Sequence, residues 1–97
     1  MTTLKRGPSW ISGPDALHHK MYVAFGYHRV TSRLRGDTWR LTWPEWRDIW
    51  LPFWDQRGRS REQLCMCRKD VVGEWSTANV HLLTRRQHIQ QVRAYYK

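Results

Sequence analysis

Apolar side chains recur at helical spacing in the first third of the chain. One stripe repeats at intervals of four, three and four residues: Val23, Tyr27, Val30 and Leu34. A second stripe lies beside it: Leu17, Met21, Ala24 and Phe25. Pro14 and Asp15 suit a first helical turn, and Gly36 suits a helix end. The pattern predicts a helix over 14–36 with a wide buried arc, preceded by a loose basic arm over 1–13.

A second helix is predicted over 43–55. Thr42 is a candidate N-cap, Pro44 falls in the first turn, and Glu45 completes a capping box. Four apolar residues then share one face of this helix: Trp43, Trp46, Ile49 and Trp50. Pro52 limits or kinks the helix, because proline lacks the backbone N–H that the interior of a helix requires.

The final third of the chain changes from a helical to an alternating pattern. Residues 64–68 alternate in polarity and predict a short strand, and residues 79–83 predict a second one after a turn-rich connection with Gly73. Thr84 is suited to cap a last helix over about 85–95. We therefore predict an α+β fold in one domain, with N-terminal helices packed on a strand–turn–strand–helix unit over 64–95.

The aromatic content decides what can form the core. A chain of 97 residues supports one domain with a limited core. It contains seven Trp, four Tyr and two Phe, and each ring can bury about 150–250 Å². We expect most of these rings to be structural.

The charge of the chain favours an anionic partner. The net charge is +9, and it is concentrated at the two ends: residues 1–36 and 64–97 are strongly basic, whereas residues 37–63 carry five charges of each sign. A field of this sign attracts polyanions. Nucleic acid is the first candidate, an acidic protein the second, and an anionic membrane surface the third.

The compartment is predicted from what the sequence lacks. No stretch approaches the ~20 apolar residues of a membrane span, and the first residues do not resemble a signal peptide. Cys65 and Cys67 do not form a disulfide framework. We expect a cytoplasmic protein that is not inserted in a membrane.

Several segments follow one another in an order that resembles a known family. Asn79 and His88 stand nine residues apart, on the second predicted strand and the last helix, as in the second half of an HNH motif. Four further segments also match: Leu41-Thr42, the tryptophans at 46 and at 50 or 54, Arg57-Gly58-Arg59, and the run from Cys67 to Asn79. Over residues 38–92 the chain resembles small phage-encoded HNH-endonuclease-like proteins.

This resemblance implies a ββα unit that holds a divalent metal, Mg²⁺ or Zn²⁺, over a scissile phosphate. It implies that His88 ligates the metal and that Asn79 orients the general base or pins the turn. The base position, however, is Arg68, whose guanidinium stays protonated. Cys67, just before it, suits Zn²⁺ better than Mg²⁺. His81 on the neighbouring strand is a possible substitute base, and the motif as a whole is degenerate.

The leading hypothesis is a DNA-binding protein of phage type, in the cytoplasm of an infected bacterial host, with weak or lost nuclease activity. Its expected phosphate contacts are basic side chains near the motif: Arg57, Arg59, Arg61, Arg68, Lys69, Arg85, Arg86 and Arg93. Two alternatives stay open. One is an active metal-dependent nicking or homing endonuclease that uses Asn79 and His88, and the other is a protein that binds and modulates a host enzyme.

Overall fold

The computed structural model describes residues 15–96, which form an α+β fold around a two-stranded antiparallel sheet. The described elements are, in chain order, α1 (Ala16–Leu34), α2 (Trp43–Trp50), a 3-10 helix (Leu51–Gln56), β1 (Leu64–Arg68), β2 (Val80–Thr84) and α3 (Arg85–Tyr95). The predicted arm over 1–13 and the predicted role of Pro14 lie outside the described residues. Within 15–96, no helix combines the length and the apolar character that crossing a membrane requires.

Helix α1 buries a narrower face than the sequence predicted, because only the second of the two predicted stripes packs in the core, through Met21, Ala24 and Phe25. The Asp15 side chain caps it by accepting from the backbone N–H of His18, and the chain leaves it at Gly36, which has a φ of +89°. Its fully buried residues are Met21, Phe25 and Ser32. The first predicted stripe faces solvent, with exposed fractions of 55, 73, 51 and 83% for Val23, Tyr27, Val30 and Leu34. A domain this small covers only one side of the helix.

Helix α2 starts as predicted but ends earlier. The Thr42 hydroxyl accepts from the backbone N–H of Glu45, and the Glu45 carboxylate accepts from that of Thr42, which confirms the capping box. The α-helix stops at Trp50, and the chain continues as a 3-10 helix through Pro52. The prediction of one helix over 43–55 is therefore wrong in its second half, where Pro52 has no N–H to donate to an α-helical partner.

Tryptophan rings form the centre of the core, as the composition predicted. The buried cluster contains eight side chains from helices, strands and connections: Met21, Phe25, Leu41, Trp46, Trp50, Met66, Trp75 and Val80. Three more indoles, those of Trp39, Trp43 and Trp54, pack against it. Neighbouring rings meet at centroid distances of 4.6–6.4 Å, mostly edge to face or tilted.

The C-terminal unit has the predicted order of strand, turn, strand and helix. In the sheet Leu64 pairs with Thr84 and Arg68 pairs with Val80, so β2 begins one residue later than predicted. Thr84 and Gln87 form a second capping box at the start of α3, which confirms the predicted cap. The Gln91 amide donates to the carbonyl oxygens of Arg68 and Lys69 at 2.7 and 2.9 Å, and this ties α3 to the end of β1.

Candidate functional site

A cleft lies between α1 and the C-terminal unit. It consists of two adjoining cavities of about 290 and 420 Å³. The cavities share four lining residues: His28, Cys65, Met66 and Arg85. Helix α1 contributes one wall and β1 contributes the floor. The remaining lining comes from α3, from the loop after the 3-10 helix, from Trp50 of α2, and from Val71 and Trp75 in the connection between β1 and β2.

Three arginines line one of these cavities: Arg57, Arg59 and Arg85, here called the arginine cluster. Two tryptophans hold the first of them, because the Arg57 guanidinium lies 5.5 Å from the ring centroid of Trp50 and 5.1 Å from that of Trp54. Arg85 is the first residue of α3, and its Nε is 3.5 Å from the carbonyl oxygen of Gly58. The packing therefore fixes the positions of two of the three cations.

The arginine cluster is electrostatically unbalanced. Burial lowers the pKa of Arg57, and the positive charges of Arg85 and Arg59 lower it further. Within residues 15–96, no carboxylate forms an ion pair with any of the three arginines. An anion in this cavity would relieve their mutual repulsion.

Arg68, predicted to contact phosphate, lines the other cavity but is held by the protein itself. Its Nη1 donates to the carbonyl oxygen of Gly73 at 2.8 Å and lies 3.6 Å from a carboxylate oxygen of Asp37. The guanidinium also covers the ring of Trp75, at 4.9 Å from its centroid. These contacts give Arg68 a structural role in fixing the connection between β1 and β2.

Asn79 closes that connection. Its Oδ1 accepts from the backbone N–H of Asp70 at 2.9 Å, and its Nδ2 donates to the carbonyl oxygens of Asp70 and Glu74 at 3.2 and 2.8 Å. A Cβ at Gly73 would lie 2.8 Å from Nδ2, so glycine is needed beside it. The side-chain amide of Asn79 is thus fully engaged in hydrogen bonds to the backbone of the turn. Asn79 does not line the cleft.

His88 does line the cleft, but the residues around it do not fit a divalent metal. Burial lowers its pKa, followed by the charges of Arg85 and His81. Its Nδ1 and the Nε2 of His81 are buried without a hydrogen-bond partner. In the part of the chain that the structure describes, no three His, Cys, Asp or Glu side chains converge as a metal site would require. Within residues 15–96, the side chains around His88 therefore do not supply the three or more ligands of a Mg²⁺ or Zn²⁺ site.

The other predicted cations lie apart from the cleft. Arg86 forms an ion pair with Glu62 at the surface. Arg61, Lys69 and Arg93 are exposed and line neither cavity. Of the eight predicted phosphate contacts, the fold brings four to the cleft: Arg57, Arg59, Arg68 and Arg85.

Sequence reasoning missed His28, which lines both cavities. Its Nδ1 accepts a hydrogen bond from the indole N–H of Trp46 at 3.2 Å. Burial lowers its pKa to about 4, helped by the nearby charges of Arg57 and Arg35. The ring is therefore neutral at neutral pH, and because Nδ1 accepts, Nε2 carries the proton. His28 lies three residues after Phe25 and therefore on the buried face of α1. A polar residue at such a position is the sequence signal that could have identified His28 as a residue of the cleft.

Comparison of the chain with protein-family models, with curated proteins and with solved structures finds no match.

Proposed function

We propose that this protein binds the phosphate backbone of nucleic acid, in the first place duplex DNA, through the arginine cluster of Arg57, Arg59 and Arg85. The observation that carries the proposal is three adjacent guanidinium groups without a carboxylate partner in residues 15–96. Phosphate oxygens supply the missing negative charge, and arginine binds them with a bidentate geometry.

The cluster is also preorganised. Trp50 and Trp54 hold the Arg57 guanidinium from the side of the core, so little side-chain entropy is lost when it meets a phosphate. The first backbone N–H groups of α3 are not available to a ligand. Those of Arg85, Arg86 and Gln87 donate to Gln63, Arg61 and Thr84. The side chains of the cluster, rather than the helix N-terminus, would make the contacts.

Binding without cleavage is the form of the HNH-like hypothesis that the site supports. Arg68 stands at the general-base position and contacts Asp37 and Gly73. Asn79 is engaged in the turn. His88 has no two further metal donors beside it within 15–96. We propose that the strand–turn–strand–helix unit serves as a binding scaffold of HNH type, acting in the cytoplasm of a phage-infected bacterium.

The test is the affinity for a short DNA duplex in EDTA, measured by fluorescence anisotropy at salt concentrations from about 50 to 200 mM. Each arginine that neutralises a phosphate contributes about one to the slope of log K against log salt. We expect Arg59→Gln and Arg57→Gln each to lower the slope by about one and to weaken binding several-fold.

Arg47→Gln is the matched control. It removes the same charge from a residue of α2 that pairs with Asp48 and does not line the cleft. If this variant weakened binding as much as Arg59→Gln, the net charge rather than the cluster would be responsible. If wild-type protein did not bind duplex or single-stranded nucleic acid at low salt, the proposal would be wrong.

The alternative hypothesis of an active endonuclease is tested on the same samples, by measuring the nicking of supercoiled plasmid in the presence of Mg²⁺ or Zn²⁺. We expect binding without nicking. Metal-dependent nicking that disappears in His88→Ala would instead establish an enzyme.

A second candidate function, binding to a host protein, rests on α1. Its exposed apolar stripe of Val23, Tyr27, Val30 and Leu34 is a kind of surface that often marks partner sites. The tryptophans do not contribute, because those within 15–96 belong to the core or pack against it. Capture of one host protein that fails with Tyr27→Ser and Leu34→Ser, together with weak nucleic-acid binding, would favour this function.

A further inference from the structure

The two cysteines of the chain lie side by side on the floor of the cleft. Cys65 and Cys67 occupy alternate positions of β1, so their side chains point to the same face of the sheet. Their Sγ atoms are 3.5 Å apart. Across the sheet they face Leu83 and His81. The proposed nucleic-acid function does not use this pair.

The two thiols differ in their surroundings. Cys65 is half-buried and lines both cavities, whereas Cys67 is 2% exposed and lines one. A hydrogen bond from Cys67 lowers the pKa of Cys65 to about 7 against the effect of burial, and the charge of Arg85 lowers it further. The same hydrogen bond raises the pKa of Cys67, as does its burial. Cys65 is therefore the more acidic thiol of the pair and, because it lines both cavities, the nucleophile at the cleft.

The strand opposes a disulfide between these two residues. An S–S bond of about 2.05 Å requires Cα atoms within about 6.8 Å and Cβ atoms about 4 Å apart. Alternate residues of a strand are separated by about 6.6 Å along it, which is just inside the Cα limit. Their Cβ vectors run parallel, however, so the Cβ atoms are about as far apart as the Cα atoms and do not meet the Cβ requirement. The ladder from Leu64–Thr84 to Arg68–Val80 holds both cysteines in that geometry. Closing the bond would distort β1.

The spacing suits a single soft atom bound between the sulfurs. With bonds to sulfur of about 2.3 Å, a sulfur separation of 3.5 Å corresponds to an angle at the bound atom of about 100°. This angle fits a pyramidal, three-coordinate centre and is far from that of linear two-coordinate Cu(I). A tetrahedral Zn²⁺ ion has a similar angle but needs further protein ligands, and within residues 15–96 no third His, Cys, Asp or Glu joins the pair. Thiolates prefer soft ions over Mg²⁺.

We propose that Cys65 and Cys67 form a bidentate dithiol site for a trivalent, pyramidal thiophilic centre of the arsenic(III) type. The third ligand, an aryl group or a hydroxyl, comes with the bound species and points into the cleft. With an aryl arsenoxide, two As–S bonds form, the As–O bond is lost, and the two thiol protons leave with that oxygen as water. No group is oxidised or reduced.

The experiment is titration of the full chain with phenylarsine oxide, followed by intact mass and by the melting temperature. We expect one adduct per chain, a raised melting temperature, and reversal by a dithiol but not by an equal concentration of a monothiol. Cys65→Ser and Cys67→Ser should each reduce the affinity on the order of 100-fold, because a chelate becomes a single bond.

The matched control keeps two thiols but separates them. In the double variant Ser60→Cys/Cys67→Ser, one thiol stands on the exposed loop and the other stays on β1, and we expect the same loss as in Cys67→Ser. Wild-type affinity in this double variant would overturn the proposal, since any two thiols would then suffice. Preferential binding of Cu(I) over phenylarsine oxide would also overturn the proposal. Oxidation of Cys65 and Cys67 to a stable disulfide in air would overturn it as well.

Discussion

The indole N–H of Trp46 donates a hydrogen bond to Nδ1 of His28 over 3.2 Å, in the middle of the aromatic core. Trp46 is fully buried, so the donor would have no partner if the imidazole were protonated. The ring centroids of Trp39 and Trp75 lie 4.8 and 4.6 Å from that of the imidazole, both in edge-to-face geometry. The bond fixes one tautomer of His28 and directs its remaining N–H away from Trp46.

A pH dependence of stability follows for His28. Its pKa is about 4 in the folded protein and 6.5 in the reference state, so protonation favours the unfolded chain. The contribution of the neutral ring is complete above pH 6.5 and is lost as the pH falls towards 4, by at most about 3 kcal/mol. Urea unfolding across this range should show a smaller loss for His28→Gln, which does not titrate. Parallel curves for the two proteins would contradict the prediction.

Protonation of Asp37 should cause a second loss of stability, at lower pH than that of His28. Burial alone would raise its pKa, but hydrogen bonds from Trp75 and Arg35 and the charge of Arg68 lower it below 3.8. The carboxylate therefore stabilises the fold above that value, and its contribution is lost as the pH falls through the lowered pKa. We expect Asp37→Asn to cost about 2 kcal/mol at neutral pH and much less in acid. Asp48→Asn, which removes an exposed pair with Arg47, should have little effect at either pH.

Asn79 should behave as a structural residue. Asn79→Ala removes three hydrogen bonds of the connection, and we expect a loss of about 2 kcal/mol in the free energy of unfolding. Asn79→Asp keeps the acceptor but not the two donor bonds, so it should fall between Ala and wild type. The losses should be equal in Mg²⁺ and in EDTA. A loss of stability seen only with metal present would point to a ligand role instead.

Substitution of alanine for glycine should change the free energy of unfolding in opposite directions at Gly36 and Gly26. Gly36 has a φ of +89°, and a Cβ there meets no atom within 4 Å, so Gly36→Ala should cost about 1 kcal/mol through backbone strain alone. Gly26 lies inside α1 and also has open space around it. Gly26→Ala should therefore raise the unfolding free energy by about 0.5–1 kcal/mol. Thermal or urea unfolding measures both, and equal signs would contradict the assignment.

The elements of the C-terminal unit could be predicted from the sequence, because their signals are local. Thr84 with Gln87 and Thr42 with Glu45 cap the helices where their spacing indicates. The buried face of α1 could not be predicted in this way. Its two stripes are similar in composition, and the choice between them depends on which side the tryptophans of α2 cover.

The same distinction holds for the site. The charge of Arg57, Arg59 and Arg85 and their place near the motif predict phosphate contacts, and the fold brings the three side chains to one cavity. The charge pattern does not separate them from Arg86, whose partner Glu62 is 24 positions away in the sequence. For Cys65 and Cys67, the sequence indicates that they do not form a disulfide framework. The position of Cys65 between the two cavities depends on how β1 faces α1 across the cleft, and the sequence of the strand does not contain that information.

The contact of Arg57 with Trp50 and Trp54 also has an optical consequence. A cation at a ring face shifts and quenches indole emission, so a ligand that draws the guanidinium towards itself would change the intrinsic fluorescence of the protein. The arginine cluster thus lies against two chromophores of the protein itself, Trp50 and Trp54. Occupancy of the cleft by an anion can be followed on unlabelled wild-type protein, with Arg57→Gln as the silent reference.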